Sequence, residues 1–332
     1  MKLTHDDDLA AHEKTDAPAW RESYYCNFFD HDSGLHGLAW LGVRPNDERG
    51  EALFALFDGG ETLLRHIDFK VPVSRDIGSD RTKLGPLSFE PVDPWSRWKV
   101  HFDDGESRIE VDWSQTTAMC DWEWEDITNS KHYQGAGTVK VTGNIGGREI
   151  DFSGFGERDR AWGERDYGFW TYVWWVVAQF RDGTATHVFL MRDKDGNDRL
   201  HGYLHKDGET KNIASYEAEV RYTPDGGPPE AARHTITDEA GRELVLAETN
   251  RMHYFSFSAD GPQVEDRPPE GMERGRMFWT FHRFVRDDGL EGRGMIDYVF
   301  WSGNQPPTIT ATGPVRSAIY DFGLEAAGTT SG

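Results

Sequence analysis

Two cysteines in 332 residues, Cys26 and Cys120, are too few for a disulfide framework, and they offer no Cys-x-x-Cys spacing for zinc or redox chemistry. Basic residues are scarce beside acidic ones, 36 Lys and Arg against 58 Asp and Glu, which leaves a net charge of -22. Nucleic acids and anionic membrane surfaces select positive patches, so neither is an expected partner. No apolar run approaches the ~18 residues of a membrane helix, and no membrane insertion is expected. The N-terminal Met-Lys-Leu-Thr-His-Asp-Asp-Asp lacks the apolar core of a secretory signal, so the expected compartment is the cytoplasm.

Motif absences narrow the chemistry. No P-loop or dinucleotide-binding glycine fingerprint opens a helix, no Gly-x-Ser-x-Gly elbow occurs, and neither cysteine carries a nucleophile motif. His31-Asp32-x-x-x-His36 offers metal ligands without a third set at supporting spacing. In Asp193-x-Asp195-x-Asn197 the glycine is misplaced for a calcium loop and the twelfth position is Leu204, so a hairpin turn is expected. No metal and no cofactor is expected.

What is plentiful is aromatic: 13 Trp, 19 Phe and 11 Tyr offset a hydrophobic fraction of only 37%. Each ring buries a large area, so a core or pocket rich in rings follows. Turn signals recur along the chain at Asp58-Gly59-Gly60, Asp104-Gly105, Gly146-Gly147, Asp182-Gly183, Asp195-Gly196, Asp207-Gly208, Asp225-Gly226, Ala240-Gly241, Asp260-Gly261 and Asp288-Gly289. Asp-Gly between apolar runs marks a hairpin, because glycine takes positive φ without strain. Between the turns the period is two. Ile109, Val111 and Trp113 share a parity against Glu110 and Asp112; Val139 and Val141 oppose Lys140 and Thr142; Met295, Val299 and Trp301 share theirs with Asp297. No window sustains a 3.6 period. The expected fold is all-β and antiparallel, with too many strands for one small barrel, hence two barrel or sandwich units. The polar run 128–131 suggests the boundary: an N-terminal arm or short helix over 1–19, a first β domain over 20–130, a second over 131–322, and a frayed tail over 323–332.

One stretch concentrates charge between glycines: Gly154-Phe155-Gly156-Glu157-Arg158-Asp159-Arg160-Ala161-Trp162-Gly163-Glu164-Arg165-Asp166. It precedes Trp170–Phe180, apolar on both parities and so a strand buried on both faces. Charges crowded there are costly unless paired or put to use, which makes the stretch the expected floor of an active site. The alternative is a structural joint, with Arg158, Asp159, Arg165 and Asp166 in a satisfied network.

His132-Tyr133-x-Gly135-x-Gly137-x-Val139, then Gly154-x-Gly156-x-Arg158-Asp159-x-x-Trp162-Gly163-x-Arg165-Asp166 and the Trp-rich strand ending Gln179-Phe180-x-Asp182-Gly183, together resemble the AttH/carotenoid 1,2-hydratase-like superfamily, in its bacterial branch of uncharacterised proteins. The specific likeness covers residues 131 to 183. It implies a double lipocalin-like fold, an apolar ligand cavity and cofactor-free chemistry: water addition to prenyl-type double bonds, or Diels–Alder cyclisation as in fungal relatives. The carboxylate of the family's His-Asp-His-Asn-Trp-Gly-type motif falls on Asp159, while Arg160 and Ala161 stand where that motif has His and Asn.

The residues themselves leave two roles open for Asp159. Hydrating an alkene takes a carboxylic acid whose pKa an apolar pocket has raised, with aromatic faces to steady the cation. Arg158, Arg160 and Arg165 would instead keep Asp159 ionised, which suits a base in a dehydratase or isomerase. The expected substrate is a hydrophobic small molecule such as a terpenoid, steroid or aromatic. His132 and Tyr133 would position water or substrate beside Asp159; Trp162, Trp170 and Trp174 would line the cavity, with Arg160 and Gln179 also touching the ligand. His187, His253 and His282, in aromatic strands, are secondary candidates. A non-catalytic carrier and a shape-acting pericyclase remain the rival readings, and a homodimer stays compatible with all three.

Overall fold

The computed structural model describes residues 3–4, 6–9, 11–75, 77, 82–122, 129–164, 170–193, 195–222, 229–257, 275–301, 306–312 and 317–321, of which 170, 254–257, 275–276 and 300–301 are described by their backbone alone. Backbone contacts divide the chain into two compact units, Met1–Arg165 with Ile319–Gly332, and Asp166–Ala318.

The first unit opens with one helical turn, α1 (Asp6–Leu9), and continues as β1 (Trp20–Asp30), β2 (Leu35–Arg44), β3 (Arg49–Asp58), β4 (Glu61–Pro72), β5 (Lys83–Leu84), β6 (Leu87–Asp93), β7 (Arg97–Asp103), β8 (Ser107–Gln115), β9 (Met119–Trp122), β10 (Ser130–Ile145) and β11 (Arg148–Glu164). These strands form a barrel-like antiparallel sheet in the order β4-β3-β2-β1-β11-β10-β8-β7-β6-β5, with β9 beside β10. The second unit holds β12 (Trp170–Phe180), β13 (Ala185–Asp193), β14 (Asp198–Lys206), β15 (Glu209–Arg221), β16 (Ala231–Asp238), β17 (Glu243–Phe257), β18 (Gly275–Arg286), β19 (Glu291–Trp301) and β20 (Thr308–Thr312). Its sheet runs β14-β13-β12-β19-β18-β17-β16-β15-β20 and closes on itself where β14 pairs with β15. A last short strand, β21 (Ser317–Tyr320), pairs with β9. No described helix is long and apolar enough to cross a membrane.

Local chemistry accounts for the meander. Every expected glycine turn among the described residues joins two adjacent antiparallel strands; Asp207-Gly208, for instance, takes φ of 55° and 76° between β14 and β15, the left-handed pair of a tight hairpin. Alternation then selects the inner face. Ile109, Val111 and Trp113 of β8 pack inward with Val139, Val141, Phe54 and Trp98, each at most 4% exposed. Trp174, Val176 and Ala178 of β12 join Ile236, Phe284 and Ile296 in the second core. Full burial of such a side chain contributes about 1.5–3 kcal/mol, so the two inner faces are the main source of stability.

The division between units lies at Arg165/Asp166 rather than at 130/131. The polar run near 130 does mark the start of a strand, but β10 and β11 form one long hairpin, register Ser130↔Gly163 through Ile145↔Arg148, set between β8 and β1 in the first sheet. The pairing of β11 with β1, across more than a hundred residues of chain, carries the hairpin into the first unit. The N-terminal arm is docked: Asp8 is fully buried and Leu3 is 4% exposed.

Candidate functional site

The two halves of the signature segment are partners in that hairpin. Gly137 faces Gly156, Gln134 faces Asp159, Tyr133 faces Arg160 and His132 faces Ala161. The glycines of β11 serve close approach: a Cβ on Gly154 would lie 1.8 Å from the Phe29 carbonyl oxygen, and one on Gly156 would lie 1.9 Å from that of Asn27.

Alternation along the strand then splits the expected site in two. Arg158, Arg160 and Trp162 point to the inner side with Tyr133, while Asp159 points outward with His132. On the inner side Arg158 makes a two-pronged ion pair with Asp8 at 2.9 and 3.2 Å, both side chains fully buried. Its guanidinium lies 4.2 Å from the Trp98 ring centroid and 4.9 Å from that of Trp113. Arg160 donates to Glu22 at 2.7 Å, to the Tyr24 hydroxyl at 3.0 Å and to the Asp7 carbonyl at 2.7 Å. His12 bonds Glu22 at 2.8 Å and stacks on Trp162 at 3.6 Å. Burial would raise the Glu22 carboxyl, but the His12 hydrogen bond and the Arg160 charge outweigh it and hold the group at about 2. These arginines therefore answer Asp8 and Glu22 rather than Asp159. Tyr133 is turned away from Asp159 and donates a hydrogen bond from its hydroxyl to Asp8; burial, with the Asp8 charge added, pushes the phenol well above its ordinary value.

The outward side gathers a second set. Asp159, 5% exposed, has His132 Nε2 at 3.3 Å from its Oδ1 and lies directly across from Tyr25 and Gln134. The Trp122 ring meets His132 edge-on at 3.8 Å. Asn27 donates to the Tyr25 hydroxyl and accepts from the Glu157 amide. Gln134 is fully buried, and neither atom of its side-chain amide has a hydrogen-bond partner. Of the expected catalytic set, then, Asp159 and His132 come together and Tyr133 does not.

In the second unit Trp174 turns into the core and meets Tyr298 edge-on at 4.3 Å, whereas Gln179 lies on the outer face. Arg165, Asp166 and the side chain of Trp170 lie outside the described residues, as do the side chain of Tyr254 and the Asp225-Gly226 and Asp260-Gly261 turns.

Two groupings of the second unit gather around carboxylates that the sequence reading did not single out, although each includes one of its secondary histidines, His187 or His282. On the outer face Asp297 is the cross-strand partner of both Trp175 and Trp279. Burial pushes its carboxyl up to about 8, against a smaller opposing pull from Trp279, and its Oδ1 accepts no hydrogen bond. Trp175 in turn donates its indole N–H to His187 at 3.2 Å. On the inner face Glu248 accepts from the Tyr298 hydroxyl at 2.9 Å, with His234 at 3.3 Å and His282 at 3.2 Å; His234 also bonds the Tyr216 hydroxyl at 2.8 Å. Burial lowers His282 to about 4, more than the Glu248 charge raises it. Within that cluster Glu248 Oε2 and His282 Nδ1 lie 3.2 Å apart without a hydrogen bond, so the network is joined there by charge alone. The available signal was parity: Asp297 shares its face with Met295 and Val299, and Glu248 shares its face with Leu244 and Leu246. No group of three or more metal-binding side chains is arranged to hold an ion among the described residues.

Chemically, the Asp297 grouping can deliver a proton from a neutral carboxyl whose cross-strand neighbours are two tryptophans. The Asp159–His132 pair can hold an imidazole oriented for proton transfer.

The model of a domain of unknown function, DUF7064, matches residues 5–299. Among solved structures, the chain is similar to an AttH protein from Nitrosomonas europaea, with 16% identity, a TM-score of 0.62, and coverage of 90% of this chain and 96% of that one. It is similar to CghA with Sch210972 at 14% identity and a TM-score of 0.62, covering 86% and 90% of the two chains. Kievitone hydratase from Nectria haematococca follows at 9% identity and a TM-score of 0.54, covering 89% and 94%. No curated protein matches the sequence. The fold is the AttH-like double lipocalin-like one.

Proposed function

Because this chain belongs to the DUF7064 family, for which no activity is defined, its reaction has to be argued from its own side chains, and we propose that it transfers protons at a carbon–carbon double bond of a hydrophobic small molecule without a cofactor, as a hydratase, dehydratase or isomerase. The observation that carries the reading is Asp297: a buried carboxyl, neutral up to about pH 8, with an oxygen free of hydrogen bonds and a tryptophan on either neighbouring strand. Protonating an alkene needs a carboxyl that is still an acid near neutral pH, and burial supplies that. The O–H proton goes to one alkene carbon while the π electrons form the new C–H bond, leaving a cation on the other carbon. The aromatic side chains of Trp175 and Trp279 on the neighbouring strands would favour that cation over the neutral ground state. Water then adds and returns a proton to the Asp297 carboxylate. Run backwards, the same steps dehydrate an alcohol; loss of a different proton from the cation isomerises the alkene. The name of one fold neighbour, kievitone hydratase, is in keeping with this chemistry. The substrate class is a terpenoid, steroid or aromatic.

A second reading rests on the 3.3 Å contact between His132 and Asp159. There the imidazole is the proton-transferring group and Asp159 orients it, so that Asp159 acts through His132 rather than as the acid itself.

Turnover of a panel of terpenoid and steroid alkenes and alcohols by the wild type, Asp297→Asn and Asp159→Asn separates these. We expect Asp297→Asn to lose turnover while retaining ligand-induced quenching of tryptophan emission. Full activity in Asp297→Asn with loss in Asp159→Asn transfers the chemistry to His132–Asp159. Tight binding with no turnover by the wild type across the panel makes the protein a carrier, and turnover surviving both substitutions leaves catalysis by shape.

A further inference from the structure

The buried Arg158 guanidinium in the first barrel shares one carboxylate, Asp8, with three other donors. Asp8 receives both prongs of Arg158, the Tyr133 hydroxyl, the Trp95 backbone N–H at 2.5 Å and the Trp98 indole N–H at 3.1 Å. Burial alone would raise the Asp8 carboxyl, yet the Arg158 charge and these hydrogen bonds leave it lowered and ionised. Trp98, Trp113 and Tyr133 surround the guanidinium with ring faces. Five converging donors inside a wall of aromatic rings make a carboxylate receptor, with the geometry that planar two-pronged recognition requires.

The occupant is local to the receptor only through folding: Asp8 lies 150 residues before Arg158, on a helix of four residues. A single helical turn has no stability of its own, so the segment is held by the side chains it inserts. Besides Asp8, it inserts Leu3 into a cluster of Trp20, Trp95, Met119, Tyr133 and Trp162. An apolar body and a carboxylate, presented a few residues apart, are the two features of an apolar carboxylic acid.

We propose that the first barrel contains a binding site for an apolar carboxylic acid around Arg158, and that Leu3 and Asp8 of the chain's own N-terminal segment occupy it in this conformation. The site uses none of the groups assigned to proton transfer: Arg158 and Tyr133 lie on the inner side of the first barrel, Asp159 and His132 on the opposite face of the same strands, and Asp297 belongs to the second unit. An acid entering there replaces the Asp8 carboxylate on Arg158 and the Leu3 side chain on the indoles, and the segment leaves. Because Arg158 is fully enclosed, withdrawing the segment without a replacement anion is costly, so the withdrawn state is a minor fraction that an entering carboxylate captures.

The test compares acetate, decanoate and decanol on the full-length wild type, Asp8→Ala and Asp8→Asn. Acetate raises the melting temperature of the variants and not of the wild type, with chloride at equal ionic strength as the control. Decanoate binds the variants at least about tenfold tighter than the wild type, whose site is competent only in the fraction with the segment withdrawn. Decanol, without the charge, binds all three alike. In the wild type, decanoate speeds hydrogen exchange in the peptide containing Asp8, and this measurement decides the matter by itself if neither variant folds. The proposal falls if decanoate leaves that peptide's exchange unchanged, or if folded variants gain nothing over the wild type from acetate or decanoate. Asp8 is then a fixed pin of the fold.

Discussion

Replacing Asp297 by Asn tests the physical core of the proposed chemistry without any knowledge of the substrate. Burial holds this carboxyl at about 8, where an aspartate in the unfolded chain titrates near 3.8. The sign follows from proton counting. Between those two values the unfolded chain has released a proton that the folded chain keeps, so native stability falls as pH rises through the window, by about 1.4 kcal/mol per pH unit. Below about pH 4 the cost is absent, and above about 8 it is complete. At pH 7, some three units into the window, it amounts to on the order of 4 kcal/mol. Asparagine keeps the shape and removes the titration, so the variant escapes this cost at every pH. Urea unfolding of both proteins between pH 4 and 8, followed by tryptophan emission, reports the difference in stability, from which every other titrating group cancels. We expect the variant's relative stability to climb steadily with pH across that range. The carbonyl stretch of a protonated carboxyl, present in the wild type at pH 6, should vanish from the variant's infrared spectrum. Parallel stability profiles would refute the argument, because Asp297 would then be ionised in the folded protein and could not serve as the acid.

Three further outcomes follow from the first unit. Asp8→Ala, which strands Arg158 in the interior, should cost about 3–5 kcal/mol of stability in the absence of added carboxylates, measured by chemical unfolding. Glu22 stands at about 2 instead of 4.5, so its contribution is present above pH 4.5 and is lost as pH falls towards 2; Glu22→Gln should remove up to about 3 kcal/mol at pH 6 and flatten the acid limb of the stability profile. Gly156→Ala drives a Cβ to 1.9 Å from the Asn27 carbonyl oxygen and should cost on the order of 3 kcal/mol or more, or yield no soluble protein, whereas Gly147→Ala, with nothing within 4 Å of its Cβ, should show only the milder strain of a turn residue at positive φ.

What the sequence determined by itself was whatever depends on a few neighbouring residues. Asp207-Gly208 turns because glycine and aspartate tolerate left-handed backbone there, and Ile109, Val111 and Trp113 face inward because side chains alternate along a strand. Those local rules establish antiparallel hairpins, an all-β class and more than one sheet. The same alternation, applied inside the signature segment, already separates Asp159 from Arg158 and Arg160, and His132 from Tyr133. Only the tertiary structure decided the rest, because it rests on pairings between distant stretches. β11 closes against β1, which moves the division from 130/131 to Arg165/Asp166. Arg158 finds its carboxylate 150 residues away in the N-terminal segment, not among the acids beside it in sequence. Asp297, flanked on its parity by Met295 and Val299, becomes a neutral carboxyl because β12 and β18 bring Trp175 and Trp279 to its two sides and leave it buried. The price of burying a charge is set by what surrounds it in space, and that is written in the register of strands rather than in the order of residues.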